Sequence, residues 1–335
     1  MRRALAAAVA AALLAPAAAA AQEPVPSSPP PPAPPPPAPP PPAPPPPPVP
    51  QITLAADNVL RVRGHAIVLQ RRSFRVSGTM TPAVAGQLVQ LQLYRNGKRR
   101  RTVHVAVGPD GSFTRRIPTR RPGRISVLPL HLATPELGRV TGPKVSLDVV
   151  AARAGAGDRG PLVRLLQRGL AKLRYPVRRT GSFDAATGRA VMAFRKVNEM
   201  ERRYDADRRV IVKVLAGKGG FKVRHPNAGR HVEADLSRQV LALIDGGKVV
   251  ATYMTSSGAP GTPTVIGTFR VYLKTAGTNA KGMVHSNYFI RGYAIHGYVD
   301  VPAFNASHGC LRIPIADAWR VFTRLRIGDR VIVYP

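Results

Sequence analysis

A short stretch near the C-terminus combines the residue types that nucleophilic catalysis requires. The segment Ser307–Arg312, with the sequence Ser-His-Gly-Cys-Leu-Arg, contains the only cysteine of the chain, Cys310. A thiol attacks carbonyl groups well only as a thiolate, so it needs a base that accepts its proton. Two histidines are near enough in the sequence to be that base, His296 and His308. Thiol catalysis at Cys310 is therefore the first interpretation.

The immediate neighbours of Cys310 fit the same chemistry. Gly309 leaves the backbone unobstructed, so the N–H groups of Gly309 and Cys310 could line an oxyanion hole. If this stretch is extended, His308 and Cys310 project from the same face. Arg312 adds a fixed cation, which suits a substrate carboxylate or favours the thiolate.

Two other interpretations use the same residues. A lone cysteine can be a buried and chemically inert side chain, although His, Cys and Arg crowded into the stretch 308–312 argue against that. The second alternative is a zinc site whose ligand types suit the metal, formed by His285, His296, His308 and Cys310. No Glu lies nearby to act as a base in such a site, although Asp300 is available.

The N-terminal segments indicate export and spacing. Residues 1–21 combine a basic start, a short apolar run and a small-residue cleavage site, which is typical of a signal peptide. The apolar run falls short of the ~20 residues that a spanning helix needs. Residues 22–50 are mostly proline, which predicts an extended linker. We expect a secreted protein of the cell wall or periplasm, without stable membrane insertion after cleavage.

Two segments of different character follow the linker. Residues 51–150 contain short alternating runs with turn signals such as Asn96-Gly97, which predicts an immunoglobulin-like β-sandwich. Residues 153–217 show apolar residues at helical spacing and predict a three-helix module. Asp158 and Asp184 are the expected N-caps of its first two helices.

The C-terminal segment, residues 225–335, returns to β patterns. A hairpin is predicted around Asp245-Gly246-Gly247-Lys248, and a further strand is predicted at Thr268–Leu273. Pro314 is expected to open a helix, and a last strand closes the chain.

The formal net charge of +33 suggests a polyanionic partner. Nucleic acid would be the first candidate in a cytosolic protein. The signal peptide and the spread of the basic residues along the chain argue against it, so we expect no nucleic acid. An anionic cell-wall polymer fits better, and a solvated surface of biased composition is the alternative.

These patterns together resemble a known family. The C-terminal segment is similar to the L,D-transpeptidase catalytic domain of the YkuD type, and residues 153–217 resemble the helical peptidoglycan-binding domain found on many cell-wall enzymes. The catalytic resemblance rests on Ser256-Ser257-Gly258, Gly261-Thr262-Pro263-Thr264-x-x-Gly267-Thr268-Phe269, Ala294-Ile295-His296-Gly297 and Ser307-His308-Gly309-Cys310-Leu311-Arg312. The helical resemblance rests on Leu165-Leu166-Gln167-x-x-Leu170 and Gly181-x-Phe183-Asp184-x-x-Thr187-x-x-Ala190-Val191-x-x-Phe194. The charged stretch Arg195–Arg203 departs from the family pattern.

The resemblance implies a multidomain, mainly β protein with an immunoglobulin-like sandwich, a small three-helix peptidoglycan-binding module and a mixed β catalytic domain. Within the catalytic domain it implies that Cys310 is the nucleophile and His296 the base. The backbone carbonyl of Gly297 would orient that base, and His308 and Gly309 would shape the site.

The resemblance also implies the reaction. The thiol would attack a peptidoglycan stem peptide and release its terminal D-alanine, and an amine of a neighbouring stem would then take the acyl group. Substrate contacts are expected from Arg312, Ser307 and Tyr288, and neither a metal nor an organic cofactor is needed. A carboxypeptidase that uses water as acceptor, and a wall-binding protein without catalysis, remain open. The helical module is expected to bind the wall and to take no part in the chemistry.

Overall fold

The structure, a computed structural model, describes residues 44–62 and 64–335. The predicted signal peptide, residues 1–21, and most of the predicted linker lie outside the described residues. From residue 46 onward the described chain forms one compact unit. No helix in the described ranges is long and apolar enough to cross a membrane.

The first part of the fold is built from strands alone. They are β1 Gln51–Ile52, β2 Ala55–Asp57, β3 Leu60–Val62, β4 His65–Leu69, β5 Arg72–Thr81, β6 Leu88–Arg95, β7 Lys98–Ala106, β8 Ser112–Thr119, β9 Gly123–His131, β10 Val140–Thr141 and β11 Val145–Val150. In one sheet β5 pairs with β1, β2 and β8, and the other sheet has the order β3-β4-β11-β9-β6-β7 with β10 beside β9. The predicted hairpin is confirmed, because Asn96 and Gly97 join β6 to β7 with positive φ angles of 49° and 80°.

The two sheets share one apolar core. Alternate residues of β5, such as Phe74 and Val76, are buried against Val89 and Leu91 of β6. Strands with one buried and one solvated face produce this alternation. The mainly β character is confirmed, and the immunoglobulin-like topology stays a prediction.

The middle part contains α1 Pro161–Lys172, α2 Ala185–Val197 and α3 Arg208–Leu215. Pro161 occupies the first turn of α1, where its missing N–H removes no hydrogen bond. Asp184 caps α2 as predicted, since its carboxylate accepts the Thr187 N–H at 2.8 Å. The predicted Asp158 cap is wrong. Gly160 is the N-cap residue, and the Asp158 carboxylate instead accepts the Gly155 N–H at 2.9 Å.

The last part contains two further sheets and α4 Ile315–Arg324. Its strands are β12 His231–Asp235, β13 Val240–Asp245, β14 Lys248–Met254, β15 Gly267–Arg270, β16 Leu273–Thr278, β17 Val284–Ile290, β18 Tyr293–Tyr298, β19 Leu311–Pro314 and β20 Arg330–Tyr334. One sheet has the order β14-β13-β12-β20-β15 and the other the order β16-β17-β18-β19.

The prediction of one continuous strand at Thr268–Leu273 is wrong. β15 ends at Arg270 and pairs with β20, whereas β16 begins at Leu273 and pairs with β17 in the other sheet. The chain changes sheets at Val271, whose side chain is buried in the core between them. An apolar run shows that a segment is buried, but it does not show where the segment changes pairing partner.

Candidate active site

Parallel pairing of β18 with β19 brings the two chemical motifs together. Ile295 lies opposite Leu311 and His296 lies opposite Arg312, so Cys310 lies just before the paired stretch. The side chains of both motifs face one cavity of about 770 Å³. Its lining includes Lys281, Met283, Tyr288, Tyr293, His296, Tyr298, Ser307, His308, Cys310 and Arg312.

His296 is buried, with 2% of its surface exposed. Its Nδ1 lies 2.9 Å from the carbonyl oxygen of Gly297, which can only accept a hydrogen bond. That contact assigns the proton to Nδ1 and leaves the Nε2 lone pair free. Burial lowers the pKa of His296; the Gly297 carbonyl opposes this shift, and the nearby Arg312 charge adds to it. The imidazole is therefore neutral at neutral pH.

The Cys310 thiol contacts backbone groups of Ala294 in β18 and of Gly292, which directly precedes that strand. Its Sγ accepts the Ala294 N–H at 3.4 Å and donates toward the Gly292 carbonyl at 3.9 Å. Burial raises the pKa of Cys310, while the Ala294 N–H and the charges of Arg312 and Lys281 act in the opposite direction. Since burial dominates, the resting thiol keeps its proton.

Ser307 closes the loop around the cysteine. Its hydroxyl donates to the Cys310 carbonyl at 2.6 Å and accepts the Gly309 N–H at 3.1 Å. Its side chain is committed to these two contacts, and the residue is only 1% exposed. The structure thus gives Ser307 a place in shaping the loop, and direct contact with substrate stays a prediction.

The loop differs from the extended stretch expected from the sequence. Gly309 has a φ angle of +107°, which L side chains rarely adopt, and β19 begins only at Leu311. His308 and Cys310 are therefore not related by strand geometry, so the extended stretch on which the shared-face expectation depended is not present, although both residues line the cavity. Of the two expected oxyanion donors, Gly309 already donates to Ser307. Within the described ranges the Cys310 N–H makes no hydrogen bond.

The other candidate residues surround the cavity. His308 is exposed at its rim, in contrast to His296. The Arg312 guanidinium lies 4.2 Å from the centre of the Tyr298 ring, a cation–π contact that fixes it at the cavity wall. Tyr288 also lines the cavity, and its hydroxyl accepts a hydrogen bond from Asn279 at 3.3 Å.

His285 lies in an aromatic cluster with α4. The centre of its ring lies 5.0 Å from that of Trp319 and 5.5 Å from that of Phe322. Among residues 44–62 and 64–335, no three His, Cys, Asp or Glu side chains are grouped so that they could hold a metal ion.

Sequence reasoning missed three contributors to this site. The Ala294 N–H and Gly292 carbonyl are backbone groups, whose positions only the fold determines. Lys281 is a cation near the thiol, in a segment without any recognisable motif. The role of Ser307 in the loop could have been anticipated, because serine hydroxyls in turns often bond to backbone groups two residues away.

Comparison with known proteins agrees with this architecture. The L,D-transpeptidase catalytic domain family matches residues 229–333, and the peptidoglycan binding domain family matches residues 159–201. A crystal structure of an L,D-transpeptidase from Xylanimonas cellulosilytica is 32% identical, with 54% of this chain and 97% of that chain covered at a TM-score of 0.50. An L,D-transpeptidase from Stackebrandtia nassauensis is 20% identical, with coverage of 54% and 95% and a TM-score of 0.35. No curated protein matches the chain.

The chain belongs to the L,D-transpeptidase family, because the 32% identity extends over 97% of the crystallised Xylanimonas cellulosilytica chain, which comprises residues 123–326 of that protein. It carries the YkuD-type catalytic domain together with a peptidoglycan-binding domain. The resemblance drawn from the sequence motifs is thereby confirmed at the level of the family.

The close packing around Gly309 gives the first prediction. A Cβ atom at Gly309 would lie 2.4 Å from the Tyr293 ring, and the positive φ adds backbone strain. We expect Gly309→Ala to displace the loop and to slow the alkylation of Cys310 by iodoacetamide at least several-fold, as followed by mass spectrometry. Gly261→Ala is the matched control, since a Cβ atom there would meet no atom of the described residues within 4 Å. Equal alkylation rates in the two variants would contradict the assigned constraint.

Proposed function

We propose that this protein is a cysteine-dependent L,D-transpeptidase that cross-links or remodels peptidoglycan stem peptides through a thioester. One observation carries the proposal. A single cavity contains the Cys310 thiol and a buried His296 whose Nδ1 is engaged by the Gly297 carbonyl. An imidazole held in this way presents Nε2 as a proton acceptor.

The first half of the reaction forms the acyl-enzyme. Sγ of Cys310 attacks the carbonyl on the L-centre side of the bond that joins the terminal D-alanine to the stem, and Nε2 of His296 takes the thiol proton. The tetrahedral oxyanion collapses, the carbon–nitrogen bond breaks, and the imidazolium returns its proton to the departing D-alanine amine. A thioester and neutral His296 remain.

The second half of the reaction forms the cross-link. A side-chain amine of a neighbouring stem attacks the thioester carbonyl and loses a proton to His296. The carbon–sulfur bond breaks, and the thiolate recovers a proton from the imidazolium. The net result is one new amide bond, with D-alanine released and the enzyme unchanged. If water replaces the amine, the same site acts as a carboxypeptidase.

Three groups near the Cys310 thiol stabilise the negative charges that develop in this reaction. We assign the Cys310 N–H as the oxyanion donor, and its lack of a hydrogen-bond partner among the described residues supports this role. Arg312 and Lys281 both favour the thiolate over the thiol electrostatically. Because Arg312 is fixed against Tyr298, it is also suited to a substrate carboxylate. Tyr288 is proposed as a further substrate contact on the cavity wall.

We also propose where the protein acts. Peptidoglycan is the partner of both matched families. The basic N-terminus with its apolar run supports export, and the proline-rich segment supports a spacer toward the wall. The high positive charge supports additional attraction to anionic cell-wall polymers.

The decisive test of the activity is mass spectrometry of muropeptides incubated with the purified protein. We expect stem dimers and free D-alanine from the wild type, and neither product from Cys310→Ala. Trimmed stems without dimers would show a carboxypeptidase. Unchanged muropeptides with retained wall binding would show a binding protein and contradict the proposed function.

The two histidines should differ in the pH dependence of Cys310 acylation by a carbapenem. Burial holds the pKa of His296 below 6.5, so its base form persists, and the wild-type rate should fall only below that pH. His296→Asn should slow acylation at pH 7 by about 10²-fold or more. In His296→Asn the residual acylation rate should increase with pH only as the pH approaches the pKa of the Cys310 thiol, which burial raises from its usual value of 9.0.

The matched control is His308→Asn, which changes the exposed histidine of the same cavity. It should slow acylation less and leave the pH profile in place. If the two variants exchange these behaviours, His308 is the base and the assignment to His296 is wrong.

A further inference from the structure

The helical module directs three basic side chains, Arg189, Lys196 and Arg202, into the catalytic domain. Lys196 of α2 is only 1% exposed, and its ammonium donates to the Thr255 carbonyl at 2.8 Å. Burial lowers the pKa of Lys196 to about 7, and the charge of Arg202 acts in the same direction. Arg189 pairs with Asp317 of α4 at 3.0 Å. Lys196 and Arg202 belong to the charged stretch that departs from the family pattern.

The acceptor of Lys196 belongs to a buried strip, Thr255–Ser257, that holds the segment around the nucleophile. The Thr255 hydroxyl donates to the Arg312 carbonyl at 2.7 Å. Ser256 and Arg312 exchange two backbone hydrogen bonds of 3.0 Å each. The Ser257 carbonyl accepts the Ala306 and Ser307 N–H groups at 2.9 Å. The strip therefore contacts the cysteine loop on both sides of Cys310.

The contacts continue to the reacting atoms. Ser307, which the strip holds by its backbone, holds Cys310 and Gly309 through its hydroxyl. Hydrogen bonds joined by the short backbone strip Thr255–Ser257 thus connect the Lys196 ammonium to the cysteine. Arg202 adds a hydrogen bond of 2.7 Å to the carbonyl of Ala303, within the segment 299–310 that joins β18 to β19 and contains Cys310.

The same helix also supports the other half of the site. Arg189 holds α4 through Asp317, and α4 packs directly on the backbone of Gly297. A Cβ atom at Gly297 would lie 2.6 Å from the Cβ of Ala318 in α4. The carbonyl of Gly297 is the group that engages Nδ1 of His296. Helix α2 is therefore linked to both the thiol and the imidazole.

Stability alone does not account for a lysine at this position. Removing an ammonium group from water opposes folding, and an apolar side chain of similar size is often equally stable or more stable. A lysine does provide a directed donor, which fixes the Thr255 carbonyl and the strip attached to it.

We propose that the helical module is a positioning element of the active site, with Lys196 as the residue that holds the strip Thr255–Ser257 and, through it, the Cys310 loop. This inference rests on the proposed function and assigns the module a task besides wall binding. It reverses the expectation from the sequence that the module takes no part in the chemistry.

The test compares Lys196→Met with Lys172→Met, which removes an exposed lysine from the same module. We expect both variants to unfold at about the wild-type temperature and to bind purified sacculi as the wild type does. The acylation rate of Cys310 by a carbapenem should fall at least about tenfold in Lys196→Met only, because small displacements of reacting groups are costly. Unchanged acylation in Lys196→Met would overturn the proposal.

A double-mutant cycle with Ser307→Ala separates positioning from general loosening. The two side chains have no common partner, so their effects on acylation should add if they are independent. We expect the double variant to be barely slower than the slower single variant. Additive effects would overturn the proposal.

If Lys196→Met does not fold, Arg189→Gln serves as the test variant, because the Arg189–Asp317 ion pair lies at a partly exposed position. It too should slow acylation without loss of wall binding, and full acylation would count against the proposal. If the wild type is not acylated at all, the proposed function fails. The iodoacetamide alkylation rate of Cys310 in the same variants then still decides the positioning role.

Discussion

The partial burial of the Cys310 thiol and the full burial of the His296 imidazole beside one cavity are the constraint on which the site depends. Burial disfavours charge, so it raises the pKa of Cys310 and lowers that of His296, and both groups are neutral at rest. In the proposed reaction the proton moves only when a carbonyl is in place to receive the sulfur. When the thiolate forms, the positive charges of Arg312 and Lys281 offset part of the free-energy cost of burying its negative charge.

The fold meets this constraint mainly with backbone groups. A carbonyl engages the imidazole, an N–H contacts the sulfur, and the positive φ of Gly309 turns the loop that presents Cys310. Backbone groups are only as well placed as the segments that contain them. This explains why the cysteine loop is held by Ser307 and by a buried strip, and why we assign the helical module a supporting role.

The sequence predicted most of the features that depend on local chemistry, although the equally local Asp158 cap is wrong. The hairpin at Asn96-Gly97, the Asp184 cap and the motifs containing His296 and Cys310 all follow from residue types at short spacing, and the structure places both motifs on one cavity. The features that depend on distant partners were not predictable. The sequence showed Lys196 as one more basic residue of a charged stretch, and only the packed structure shows it buried against Thr255.

The same limit applies to the cysteine loop and to the expected strand at Thr268–Leu273. The sequence could not show that Gly309 adopts a positive φ against the Tyr293 ring. Nor could it show the change of sheet at Val271, since both depend on packing across the domain. Nitrogen NMR of the His296 side chain tests whether this imidazole can serve as the base for Cys310. At pH 7.5 we expect Nδ1 to carry the proton and Nε2 to be unprotonated. A proton on Nε2 would show that His296 is not the base as assigned, because the remaining lone pair would lie on Nδ1, which faces the Gly297 carbonyl and not the thiol.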